Sequence, residues 1–158
     1  MGGIFCPHGW QAGYGAEGVD AEGIGMSDFW YKQLSDTDRE ALFTEMRRWG
    51  DREISYRTQA QRLAPPGGTI AVGGGHFEQV LKAEVIASYL RALRQGETPQ
   101  RALDIAAADR VKYVQRWNKS RGGDYVVHRA ETAEQSLLED LHRSIVNCVR
   151  SPVYGALS

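Results

Sequence analysis

Hydrophobic positions recur at helical spacing through residues 76–121 and predict two long helices there. In the first helix the apolar residues are Phe77, Val80, Leu81, Ile86, Leu90 and Leu93. In the second helix they are Leu103, Ala106, Ala107, Val111, Val114 and Trp117. Steps of mostly three and four residues place side chains on one face of an α-helix, so each helix should bury one side against a neighbour.

The break between these helices contains residues that end one helix and start another. Gly96 can adopt the left-handed conformation that closes a helix. Thr98 is a suitable N-cap, and Pro99 suits the first helical position, where an N–H would have no partner. Gly122 and Gly123 then end the second helix. Because the connection is short, we expect an antiparallel hairpin at the centre of the fold.

Two helices are predicted before the hairpin. Ser27 can cap a short helix over residues 27–34. Ser35 or Thr37 can cap a longer one, since an acid follows each of these two residues by three positions. The apolar face of the longer helix comprises Leu42, Phe43, Met46, Trp49 and Ile54. Gly50 should bend this helix, because glycine weakens a helix interior.

A last helix is predicted from about residue 130 to residue 149. Its amphipathic stripe comprises Ala133, Leu137, Leu138, Leu141, Ile145, Cys148 and Val149. Cys148 lies on this stripe, so we interpret it as a small buried hydrophobic residue. Pro152 follows closely and cannot continue a helix.

The chain is therefore predicted to be all-α, with four or five helices around the central hairpin, in one helical domain of residues 27–150. Two short segments have β character, TIAV at 69–72 and YVVH at 125–128. They could pair as at most a small two-stranded ribbon supported by the helices. Residues 151–158 form a short C-terminal tail.

Residues 1–26 form a glycine-rich segment, called the arm below, which contains no lysine or arginine. Glycine at this density disfavours a stable helix, so we expect an extended conformation. Yet the arm has large aromatic side chains, which a solvated tail would not need. We therefore predict that it docks on a partner subunit or on its own bundle, and we adopt contact with neighbouring subunits as the leading prediction. The alternative is a flexible terminus. The predicted contact residues are Phe5, Trp10, Tyr14, Glu17, Asp20 and Glu22.

Composition narrows the class of protein. The chain is 42% hydrophobic and 25% charged, which is typical of a soluble globular protein. The formal net charge of −1 excludes a strong overall attraction to nucleic acid. Two cysteines do not make a disulfide framework, and no membrane span or secretion signal is recognisable. We expect no membrane partner, and a location in the cytoplasm or in a particle assembled there.

One local charge cluster supports an alternative function. Near the end of the second hairpin helix, cations alternate with aromatic residues, as Arg110, Lys112, Arg116, Trp117, Lys119 and Arg121. Cations can contact phosphates and aromatic rings can stack on bases, so this helix end could bind nucleic acid. The alternative is a solvated face with Trp117 in the core.

A second alternative is a metal site in the last helix. Glu139 and His142 have the Glu-x-x-His spacing found in di-iron bundles. The sequence has only one such pair, so a metal would have to lie between two subunits. A surface helix with one polar pair is the competing interpretation.

The leading hypothesis is a non-enzymatic structural or assembly subunit that works as a homo-oligomer and requires no cofactor. It depends on the aromatic arm and the long amphipathic helices. A virus particle or a phage head–tail apparatus is one setting in which such arms join subunits.

Overall fold

The computed structural model describes residues 29–63, 74–121 and 132–149. A 3-10 helix spans Trp30–Gln33 and is followed by α1 (Asp36–Leu63), α2 (Gly74–Arg94), α3 (Pro99–Arg121) and α4 (Ala133–Cys148). Within these ranges there is no strand, so the all-α prediction is confirmed for this part of the chain. The predicted arm, β ribbon and C-terminal tail lie outside the described residues.

Helices α2 and α3 form the predicted antiparallel hairpin. At the start of α2 and the end of α3, the rings of Phe77 and Trp117 stack with centroids 4.3 Å apart. Nearer the turn, Ser88 Oγ donates a hydrogen bond to Asp109 Oδ2 at 2.6 Å. Contacts that advance along α2 while they recede along α3 are those of an antiparallel pair.

Helix α1 packs antiparallel to α2, and α4 packs against α1. Arg57 of α1 pairs with Glu84 of α2 at 3.3 Å, and His76 Nδ1 lies 2.8 Å from the carbonyl oxygen of Ala60. Nearer the start of α1, Trp49 Nε1 donates to Ser144 Oγ of α4 at 3.3 Å. Helices α2 and α4 each contact the three other helices, so these two helices lie at the centre of the bundle.

Helix α2 is the most enclosed helix. Residues 85–90 are all buried, and Ile86 and Leu90 have no exposed surface. This explains why its apolar stripe is wider than one helical face, since three neighbours must be contacted. Each such side chain stabilises the fold by about 1.5–3 kcal/mol relative to full exposure.

The helix boundaries agree with most of the predicted capping residues. Gly96 has a φ of 96°, the left-handed conformation expected after α2. Ser35 Oγ accepts from Asp38 N at 3.1 Å, and Thr98 Oγ1 accepts from Arg101 N at 3.4 Å. At α4 the cap is Thr132, which accepts from Gln135 N, so this helix begins later than predicted.

Helix α1 continues through Gly50 to Leu63, and packing of Met46 and Trp49 offsets the local cost of glycine. Two details of the prediction are corrected. Ile54 is not part of the buried face, since its side chain is 63% exposed. Instead of a regular first helix, the residues before α1 form the short 3-10 helix. Its buried Trp30 donates from Nε1 to the carbonyl oxygen of Glu97 at 2.6 Å.

Candidate functional site

An open cleft of about 280 Å³ lies between α2 and α3, at the end of the hairpin away from the turn. It is lined by Phe77, Val80, Leu81, Glu84, Tyr113, Arg116 and Trp117. The lining combines apolar and aromatic side chains with one acid and one cation. Such a combination suits a partner that inserts an apolar group and presents charge beside it.

The floor of the cleft is a hydrophobic cluster. Phe77, Leu81 and Val114 are buried, and Tyr113 and Trp117 pack against them while keeping part of their surface exposed. The Phe77 and Trp117 rings are nearly parallel, with an interplanar angle of 19°. Helical spacing brings these groups together, because residues one turn apart on each helix share a face. The aromatic walls of the cleft therefore belong to the hairpin itself.

Charge at the cleft is organised around Tyr113. The Arg116 guanidinium lies 5.2 Å from the centroid of the Tyr113 ring, which is within cation–π distance. Burial raises the pKa of the Tyr113 hydroxyl, and the nearby Glu84 carboxylate raises it further. Glu84 is itself held by Arg57. Tyr113 therefore stays a neutral hydrogen-bonding group at physiological pH.

The basic cluster predicted from the sequence is only partly an exposed surface. Lys112, Arg116 and Lys119 are exposed, and Trp117 is half-buried at the cleft. Arg121 ends α3, and its side chain lies outside the described part of the structure.

Arg110 must be removed from that cluster, because it is only 4% exposed. Its Nη2 donates to Glu134 Oε2 at 2.9 Å and to Thr132 Oγ1 at 2.8 Å. Glu134 is completely buried. Arg110 therefore joins α3 to the start of α4 and cannot reach a phosphate in this fold. Thr132 followed by Glu134 is recognisable in the sequence as the start of a helix. The neighbouring sequence does not show that Arg110, on another helix, is the partner of these two residues.

The predicted metal pair does not converge. Glu139 is exposed and accepts from Gln135 Nε2 at 3.2 Å. His142 is 8% exposed and faces Tyr89, with 3.0 Å between Nδ1 and the hydroxyl oxygen. The two side chains thus occupy different environments within one subunit, and a metal that they share between two subunits stays a prediction. Among the described residues, no group of three or more His, Cys, Asp or Glu side chains is arranged to hold a metal ion.

His142 should make the bundle sensitive to acid. Burial lowers its pKa below the ordinary value of 6.5, Asp104 opposes this and Arg143 adds to it. The unfolded chain then binds a proton more readily than the folded chain, so stability should fall as pH drops below about 6.5. The loss should stop growing below the lowered folded-state pKa. Urea unfolding of the wild type and of His142→Asn at several pH values between 7.5 and 5 would measure this.

The asparagine variant is the matched control, because its amide can still accept from Tyr89 but cannot titrate in this range. The stability difference between the two proteins should change between pH 7.5 and 5. A difference that stays constant would show that His142 does not cause the acid sensitivity.

The six predicted contact residues of the arm lie outside the described residues. Cys148, expected to be buried, is partly exposed at the end of α4. The cleft itself was not predicted from the sequence. Val80 and Trp117 were placed on buried faces, whereas both line an open surface. Amphipathic periodicity shows which side of a helix is apolar, but not where two apolar sides fail to close on each other.

The bundle defines an all-α protein with an aromatic cleft on its central hairpin. No protein-family description, curated protein or solved structure matches the chain significantly. None of the described helices is both long enough and apolar enough to cross a bilayer.

Proposed function

We propose that this chain is a non-enzymatic assembly subunit that forms a homo-oligomer through its N-terminal arm. The observation that carries the proposal is the preformed aromatic cleft, with exposed cations beside it. Aromatic side chains bury a large area at little entropic cost and are enriched where proteins bind each other. The arm has the complementary character, since its aromatic residues are followed by acids.

The interior of the bundle supports a structural role for its buried polar groups. The Arg110–Glu134 ion pair joins α3 to α4, and the Ser88–Asp109 hydrogen bond joins α2 to α3. These groups hold helices together inside the bundle, whereas the cleft is open to a partner. Polar contacts inside the bundle and an open cleft on its surface suit a subunit that keeps its fold while it binds a partner.

Solution mass tests the proposal. In the full chain, Phe5→Ser, Trp10→Ser and Tyr14→Ser together remove the aromatic groups of the arm. We expect the wild type to be a defined oligomer by light scattering and the triple variant to have a lower mass. Circular dichroism should show the same helix content in both.

A matched control changes three other arm positions, Gln11→Ser, Ala12→Ser and Val19→Ser, and should keep the wild-type mass. The proposal fails if the wild type is a monomer at all accessible concentrations. It also fails if the aromatic triple variant and the control have the same mass as the wild type.

A further inference from the structure

Building on the proposed homo-oligomer, we infer that the aromatic part of the arm, residues 5–14, docks into the α2–α3 cleft of a second copy of the chain. The acids that follow, Glu17, Asp20 and Glu22, would then lie against the exposed cations of α3. This assigns both an occupant and an orientation to the cleft. Three features of the molecule lead to it.

The first feature is the size and chemistry of the cleft. Its volume of about 280 Å³ is just below the range of about 300–1,000 Å³ that is usual for small-molecule sites. It therefore suits an aromatic side chain with adjoining backbone better than a whole cofactor. The partly exposed Tyr113 and Trp117 offer ring edges and faces to an incoming ring. Phe5, Trp10 and Tyr14 supply such rings.

The second feature is charge complementarity. Lys112, Arg116 and Lys119 are exposed along the last turns of α3, and Arg116 lines the cleft. The one acid in the lining, Glu84, is already paired with Arg57 at 3.3 Å. Lys112 and Arg116, called the rim below, thus offer cations to a ligand. The chain has no lysine or arginine before Lys32, so Glu17, Asp20 and Glu22 give this part of the arm a negative charge. Opposite charges of this kind also orient the two partners.

The third feature is where the arm begins. The Trp30–Glu97 hydrogen bond fixes its root beside the α2–α3 turn, whereas the cleft lies at the other end of the hairpin. These places are about 26 Å apart along α2. A chain of this length, from Tyr14 to Phe29, would have a root-mean-square span of about 20 Å as a random coil and a length of about 50 Å when fully extended. The arm is therefore long enough to reach its own cleft or a neighbour's cleft, and the solution mass of the variants below distinguishes the two.

The arm–cleft contact is heterologous unless two subunits exchange arms reciprocally about a two-fold axis. The surface that each subunit presents through its arm differs from the surface that it presents through its cleft. Such heterologous contacts close into rings when the rotation between subunits allows it, and otherwise continue as open chains. Each subunit then donates one arm and receives one arm.

A charge exchange in the full chain tests the inference. Lys112→Glu with Arg116→Glu reverses the rim, and Glu17→Lys, Asp20→Lys and Glu22→Lys together reverse the arm. Each set alone should weaken self-association about tenfold or more, because attraction becomes repulsion. Combining both sets in one chain should restore association to within a few-fold of the wild type. Sedimentation or light scattering over a dilution series measures all four proteins.

Two further variants separate the cleft from general charge effects. Val80→Ser, on the half-buried wall of the cleft, should also weaken association without adding charge. Lys32→Glu with Arg47→Glu reverses two exposed cations outside the cleft and should leave association unchanged. Thermal unfolding confirms that each variant is folded before its mass is interpreted.

The outcomes distinguish this inference from the proposed function. One outcome is that the aromatic-to-serine arm variant loses self-association while the rim and Val80 variants keep it. In that case the arm binds a surface other than the cleft, and only this inference is wrong. If no arm or cleft variant changes the mass, both fall. A rim variant that loses binding to a single-stranded oligonucleotide but keeps its mass would assign the cations to nucleic acid and overturn the inference.

Discussion

Replacing Glu134 by alanine should lower the free energy of unfolding by about 3–5 kcal/mol. The carboxylate is completely buried and pairs with Arg110, whose side chain is 5% exposed. Removing the carboxylate takes from Arg110 its ion-pair partner while the guanidinium stays buried in a medium of low dielectric constant. Urea unfolding followed by circular dichroism would measure the loss. Glu139→Ala is the matched control, because Glu139 is an exposed glutamate on the same helix and should change stability by less than about 0.5 kcal/mol.

A double replacement shows how much of that loss comes from the unpaired charge. Arg110→Met with Glu134→Leu removes both charges and fills similar space with apolar groups. Such replacements are often neutral or stabilising, so the double variant should be markedly more stable than Glu134→Ala. Equal losses in the two proteins would contradict this expectation, because the charge left on Arg110 in Glu134→Ala would then cost nothing.

Shortening Ile86 to alanine should cost about 2–5 kcal/mol, because the side chain is fully buried in α2 and its removal leaves a cavity. Helix α2 contacts all three other helices, so the neighbours cannot relax toward the gap without disturbing other contacts. The matched control is Ile54→Ala, the same substitution at a side chain that is 63% exposed. It should change stability by about 0.5 kcal/mol or less. Heat or urea unfolding of both variants gives the comparison, and similar losses would contradict the assigned core.

Local patterns were sufficient to predict most of the described architecture. The hairpin followed from apolar spacing and from Gly96, since both are determined by residues that are close in sequence. The buried stripe of α4, with Leu137, Leu138, Leu141 and Ile145, followed from the same spacing and is confirmed. Periodicity succeeds here because a helix satisfies its own backbone and only one of its faces must meet the core.

The errors arose where distant residues decide the environment. A run of cations at the end of a helix is typical of a solvated face, yet Arg110 is buried because Thr132 and Glu134 come to it from α4. His142 was placed beside Glu139 by helical spacing, but its partner is Tyr89 on another helix. Charge patterns along one helix cannot show such partners. The cleft was missed for the same reason, because it exists only in the relation between α2 and α3.

The hydrogen bond from Trp30 to Glu97 also determines how mechanical force would enter the molecule. Residue 30 precedes α1 in sequence, but this contact attaches it to the turn of the central hairpin. Tension from an arm held by a neighbour would first load the buried indole and the turn between α2 and α3. Helix α1 would be spared until that contact broke. The buried Trp30 side chain would thus transmit tension from an engaged arm directly to the central hairpin of the bundle.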